Sequence, residues 1–193
     1  MSESRYAFEV INAQHDCSKF SSDTTFIDDY LKNYALNDTQ SDIVRTYVLI
    51  DKDADHDNAV IGFFSTHAHS LAYNSRYWPV VEIPYLARHK RVRGQRVGSI
   101  LLLEAFKYVI RCSNIIGVEG ITLTETLEGK KLYDRFEFEP HPHQGVRDRF
   151  IHITSIRALF EAGHNNENTG LRNVSTVLRL FFRNYSDVHN NWV

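Results

Sequence analysis

Residues 92–106 read VRGQRVGSILLLEAF, and the turn from Val92 to Ser99 decides the fold. A polar turn carrying Gly94 and Gly98 runs straight into an apolar helix. There, several backbone N–H groups and the positive end of a helix dipole converge on one anion. A glycine pair before a helix also fits an ordinary loop, so the turn alone leaves both readings open. It is not a dinucleotide fingerprint, which follows the first strand of a βαβ unit and continues Gly-x-Gly-x-x-Gly. It is not a nucleoside-triphosphate loop either, for want of Gly-Lys-Ser/Thr.

Working outward, Ser99 to Cys112 predicts the strongest helix, with Ile100, Leu103, Ala105, Phe106, Val109 and Ile110 on a broad apolar face. Upstream, YAFEVINA (6–13) alternates as a first strand. DTTFIDDYLKNYAL (23–36) sets Phe26, Ile27, Tyr30, Leu31, Tyr34 and Ala35 at helical spacing behind Asp23 as N-cap. RTYVLID and AVIGFFSTHAHSL read as a hairpin around the aspartate-rich DKDADHDN. YWPVVEIPYLA (77–87) reads as a strand that bulges or splays at Pro79 or Pro84, because proline donates no ladder hydrogen bond.

Downstream come a strand in VEGITLT, a short helix in LEGKKLYDRF and a last strand in RFIHITSI. The order β, α, β, β, β, α, β, α, β predicts an α/β (α+β) domain with a mixed sheet flanked by helices. It is expected to occupy residues 1–156. Residues 157–193 are expected to be a polar linker, EAGHNNENTG, and an extra C-terminal helix. In that helix Leu171, Val174, Val177, Leu178, Phe181 and Phe182 share a face suited to the domain, a partner or a second copy.

The chain has 193 residues, with 22 Lys plus Arg against 24 Asp plus Glu, so any nucleic-acid contact must come from a local patch rather than a global basic field. RHKRVRGQR is the dense basic run, suited to a phosphate or a solvated face. Cys17 and Cys112 have no Cys-x-x-Cys partner, the first residues carry no basic-then-apolar leader, and no apolar run reaches the ~18–20 residues of a span. A reduced, cytoplasmic, non-membrane protein is expected, with both cysteines as small core hydrophobes. No Gly-x-Ser-x-Gly elbow occurs. The pairs His67/His69 and His141/His143 lack a neighbouring cysteine or carboxylate pattern to complete a tetrahedral set, so no metal is expected.

Taken together, the element order, RVRGQRVGSILLLEAF and GKKLYDRFEFEPH resemble the GNAT superfamily of acyl-coenzyme A N-acyltransferases over roughly residues 6–156. The family's Arg/Gln-x-x-Gly-x-Gly/Ala is met by Arg93 to Gly98, with Arg96 at the first glycine. Its Tyr-x-x-Phe-Gly-Phe is met by Tyr133 to Phe138, with Glu137 at the glycine. The segment FSSDTTFIDDYLKNYAL with the later RTYVLID and YLARHKRVRGQ is similar to the branch containing bacterial toxins that acetylate aminoacyl-tRNA.

The resemblance implies a mainly antiparallel sheet and acetyl-coenzyme A as cosubstrate without a metal. Leu86 and Arg88 would supply main-chain contacts to the pantetheine arm; Arg93, Gly94, Gln95, Arg96, Val97, Gly98 and Ser99 would cradle the pyrophosphate. It also implies direct attack of a primary amine through a tetrahedral intermediate. Tyr133 is the candidate general acid, or else a core tyrosine; Glu82 is the candidate base, or else an ordinary strand carboxylate. An N–H near Leu86 would face the oxyanion. Partners implied are coenzyme A, an amine acceptor that is charged tRNA, a small polyamine or drug, or a protein amine, and a small DNA-binding antitoxin. Arg96 keeps the N–H of a glycine, and it is expected to hold helical-side dihedrals and point outward, since positive φ costs ~1–2 kcal/mol for a residue with a Cβ. The competing functional readings are a regulatory or binding module that has lost catalysis, and an RNA-binding domain.

Overall fold

The computed structural model describes residues 5–52, 59–73, 75–141, 145 and 147–164. Its elements are β1 (Tyr6–Val10), α1 (Thr25–Asn33), α2 (Ala35–Gln40), β2 (Arg45–Asp51), β3 (Val60–Tyr73), β4 (Arg76–Glu82), β5 (Leu86–Arg88), a 3₁₀ turn (Lys90–Val92) and α3 (Val97–Ser113). These are followed by β6 (Gly120–Thr124), α4 (Lys130–Arg135), β7 (Glu139–Pro140), β8 (Asp148–His152) and α5 (Ile153–His164). The sheet runs β1-β2-β3-β4-β6-β8-β7 with β5 added to β3; among the described strands β4 and β6 pair in parallel and the other pairs are antiparallel. A mixed, mainly antiparallel sheet flanked by helices is therefore what the chain forms.

The apolar face of α3 packs on one side of the sheet. Leu101, Leu102, Leu103, Phe106 and Val109 are sealed from solvent, each contributing roughly 1.5–3 kcal/mol by burial. Gly62 of β3 lies under this helix, where a Cβ would stand 2.9 Å from Leu101. On the other side Ile27, Tyr30 and Leu31 of α1 pack with Val48, Ile50 and Phe63. Phe26 and Tyr34, expected on that apolar face, are instead 62% and 55% exposed. The predicted single helix also breaks at Tyr34, whose φ of −125° and ψ of −38° leave helical geometry.

The proline-bounded strand splits where expected. Between the pairs His67↔Glu82 and Phe64↔Leu86, Ser65 and Thr66 of β3 face Ile83, Pro84 and Tyr85. The extra residue is a bulge. Tyr85 stacks on Tyr30 of α1 with ring centroids 3.7 Å apart, which ties the bulge to that helix. β4 stays beside β6 as far as the bond from Ile83 N to Thr122 O, 2.9 Å, after which β5 follows β3. The gap between β5 and β6 is the opening on which the site is built.

Toward the C-terminus, the strand read in RFIHITSI ends at His152, and α5 begins at Ile153. It carries Ile156 and Leu159 into the core and takes in the first residues of the stretch read as a linker. The helix read over 171–182 and most of DKDADHDN lie outside the described residues.

Candidate active site

Leu86 and Arg88 sit on the rim of the opening. Ser65 N donates to Tyr85 O and His89 N to Ile61 O, both at 2.8 Å, so the odd-numbered residues here bond to β3. Alternation in an antiparallel ladder turns the N–H and C=O groups of Leu86 and Arg88 the other way, toward the gap. An extended chain can pair there as an added strand.

The 3₁₀ turn then leads to Gly94, at φ 81°, and to Arg96, at φ 60° and ψ 14°, which is the N-cap of α3. This overturns the expected helical-side dihedrals of Arg96. The chain must reverse before the buried Val97, and that packing holds Arg96 left-handed despite its Cβ. Ser99 N and Ile100 N both bond back to Arg96 O. The N–H groups of Arg96, Val97 and Gly98 are left without helical acceptors, as the first residues of a helix are.

A cavity of about 500 Å³ opens over this turn and is walled by Leu86, Arg88, Gly94, Arg96, Val97 and Ser99 among others. Gly98 also lines it, whereas Arg93 and Gln95 do not. Arg93 instead bonds to Asp23, which lines the cavity and accepts a longer contact of 3.4 Å from Arg88 Nη2. Asp23, expected as the N-cap of α1, has given up that place to Thr24. The Arg93 hydrogen bond holds its carboxyl below the usual carboxylate range, aided by the charges of Arg93, Arg88 and Lys90. Arg88 Nη1 is buried without a hydrogen-bond partner. Sequence reading missed Asp23 here because nothing local distinguishes a cap from an ion pair with a residue 70 positions away.

A second cavity of about 830 Å³ adjoins the first, walled by Phe26, Glu82, Pro84, Tyr85, Glu125 and Arg147 among others. Leu86 and Tyr133 line both. Tyr133, on α4, is 5% exposed and packs edge-on to Phe138 at 5.6 Å. Burial, then the charge of Glu125, raise its phenol well above the usual value; Arg149 pairs with that Glu125 at 2.7 Å. Gly129 makes room for the ring, since a Cβ there would stand 2.6 Å from Tyr133 Cε2. Glu137, at the second family glycine position, keeps φ 61°.

Glu82 has company that the sequence pattern did not show. Its Oε2 lies 2.9 Å from His67 Nε2 and 3.6 Å from His69 Nδ1. The expectation of no metal rested on the lack of a carboxylate beside the histidine pair, and the β3–β4 register supplies one. His141 packs against Phe150, and His143 lies outside the described residues. Cys17 and Cys112 are half-buried free thiols, and burial together with Asp16 pushes the Cys17 thiol up to about 11.

With this geometry in place, the fold is that of the GNAT acetyltransferases. The likeness is seen in AtaTR bound with acetyl-coenzyme A (TM-score 0.72, 20% identity, 81% of this chain and 98% of that one). It is equally clear in AtaT complexed with acetyl-methionyl-tRNA (0.72, 19%, 80% and 99%). Among curated proteins, the chain is 26% identical over 166 residues to a probable toxin TacT of Sinorhizobium fredii, covering 76% of this chain and 90% of that one. It is 28% identical over 144 residues to a tRNA-acetylating toxin of Mycobacterium tuberculosis, covering 68% and 83%. No family model matches the chain. Both curated relatives are thus named as toxins, one of them tRNA-acetylating, in line with the branch that the early segment resembles.

Proposed function

We propose that this chain is an N-acetyltransferase that moves acetyl from acetyl-coenzyme A to the α-amine of an aminoacyl-tRNA. The observation that carries this reading is the junction of two cavities at Leu86 and Tyr133. One lies over a helix N-terminus and a free strand edge; the other holds a carboxylate and an exposed aromatic ring. Curated relatives named as toxins, one of them tRNA-acetylating, support the acceptor.

In this reading Leu86 and Arg88 align the pantetheine arm through their main-chain groups, and the N–H groups of Arg96, Val97 and Gly98 receive the pyrophosphate. Arg93 and Gln95 stand outside this cradle: Arg93 pairs with Asp23 at the cavity edge, and Gln95 N donates to Val92 O. The acceptor enters by the second cavity, where Phe26 offers a face on which a base can stack. Glu82 takes the proton of the amine directly or through water, the Leu86 N–H faces the developing oxyanion, and Tyr133 gives its proton to the leaving thiolate. Left-handed backbone at Arg96 favours an intact cradle over a decayed one, because the path that glycine would take is retained.

Among the described residues no helix is long and apolar enough to cross a membrane. We place the protein in the cytoplasm, where charged tRNA and acetyl-coenzyme A are found, and infer that the residues after α5, which ends at His164, meet an antitoxin or a second copy. Titration with acetyl-coenzyme A, followed by mass spectrometry of charged tRNA after incubation, tests the reading. N-acetylated aminoacyl ester is the expected product, and lack of coenzyme affinity up to millimolar overturns the reading in favour of a non-catalytic module.

A further inference from the structure

We propose that His67, His69 and Glu82 form a binding site for one divalent transition cation of the zinc type, at the rim of the acceptor cavity, and that filling it inhibits transfer. The inhibitory half rests on the transferase reading; the binding half does not. Among the described residues these three have one ligand atom each, all within 4.8 Å of one another.

The placement follows from register. His67 and His69 alternate along β3 and so share one face, and His67 stands directly opposite Glu82 on β4. Both imidazoles direct a nitrogen at the same carboxylate oxygen, His67 through Nε2 and His69 through Nδ1. Two imidazoles and a carboxylate are the donor set that suits zinc, whose bonds of about 2.0–2.2 Å require donors roughly 3–3.5 Å apart. The two nitrogen-to-oxygen distances, 2.9 and 3.6 Å, already bracket that spacing. Side-chain rotation alone can bring the set together, because all three residues are partly exposed on a paired hairpin that fixes their backbones.

Three protein ligands leave a position open for water or an incoming group, as in exchangeable rather than structural zinc sites. Among the described residues the polar contacts of the two rings are those to Glu82 and none holds His67 Nδ1 or His69 Nε2, so outer-shell support from these residues is lacking and micromolar rather than tighter affinity follows. Glu82 also lines the acceptor cavity. A cation on its carboxylate removes the group that would receive the amine's proton and sets a positive charge where an ammonium must approach. Inhibition follows from both effects.

Isothermal titration of zinc chloride into the EDTA-dialysed full chain tests the site. One zinc per chain is expected, with affinity falling about tenfold or more in Glu82→Gln and further in the His67→Ala/His69→Ala double variant, while circular dichroism and melting temperature stay at wild-type values. Wild-type affinity no tighter than that of the double variant overturns the site, whatever the chain catalyses. In the transfer assay, saturating zinc should lower the wild-type rate and EDTA restore it, with the ratio of rates near one in the double variant. A wild-type rate equal with and without saturating zinc overturns the inhibitory role.

Discussion

Arg96 and Glu137 hold the same left-handed backbone, φ 60° and 61°, one capping α3 and the other in the turn after α4. Both stand where the GNAT patterns carry glycine, and both carry a Cβ that this region penalises by about 1–2 kcal/mol. Each substitution to glycine removes that strain and returns part of it as backbone entropy lost on folding. Arg96→Gly and Glu137→Gly are therefore expected to stabilise the chain by about 0.5–1 kcal/mol each, read as a higher midpoint in urea unfolding. Because Arg96 lines the cavity proposed for the coenzyme and Glu137 does not, acetyl-coenzyme A affinity should fall in Arg96→Gly and stay constant in Glu137→Gly. Destabilisation by either change would show that the side chain outweighs the strain.

The Arg96 result shows where reading the sequence stops. The element order as far as β8 and a break at one of two prolines were legible, because α3 and the β2–β3 hairpin carry strong periodicity and proline acts locally; that the break falls at Pro84 and not Pro79 came from the register. Backbone conformation at Arg96 was not, since intrinsic preference argued against positive φ and the packing of Val97 and Leu101 prevailed. Nor was α5: Ile151 and Ile153 continue the alternation of β8, so the strand hides the start of the helix, and helical spacing begins only with the step from Ile153 to Ile156. Asp23 and the Glu82 cluster depend on partners 70, 15 and 13 residues away, which only topology brings together.

Tyr133 and Gly129 form a pair that separates packing from catalysis. Tyr133→Phe keeps the ring and removes only the hydroxyl, so coenzyme affinity should be unchanged while turnover falls by about 10²-fold or more, the usual span for a lost general acid. Gly129→Ala forces a Cβ into contact with Tyr133 Cε2 and displaces the ring. It should lower both turnover and melting temperature. Wild-type turnover in Tyr133→Phe would reassign the residue to the core.

If the coenzyme occupies the cavity as proposed, Asp23 would compete with it for the arginine charge at the cavity edge. Its carboxylate engages Arg93 and Arg88 at the edge of the cavity, neutralising charge that a pyrophosphate would otherwise meet. Asp23→Asn keeps an oxygen for the guanidinium groups and removes the opposing charge. Acetyl-coenzyme A should bind about threefold tighter at low salt, and the gain should shrink as screening increases, since Arg93 is exposed. Weaker binding would mean that Asp23 serves chiefly to position the arginines.

Buried phenols set the alkaline behaviour. Tyr30, Tyr47, Tyr108 and Tyr133 are all raised, chiefly by burial, so the folded chain holds these protons more tightly than the unfolded one. A raised folded value contributes stability that is complete below the unfolded value, about pH 10, and is lost as pH climbs beyond it. Unfolding free energy should therefore be flat from neutrality to about pH 10 with respect to these groups and fall steeply above. Turnover should rise as an α-amine near ~7.7–8 loses its proton, then level off with no decline before pH ~10, because Tyr133 remains protonated throughout. A decline in turnover near pH 9, with the fold intact by circular dichroism, would place the catalytic proton on a group other than Tyr133.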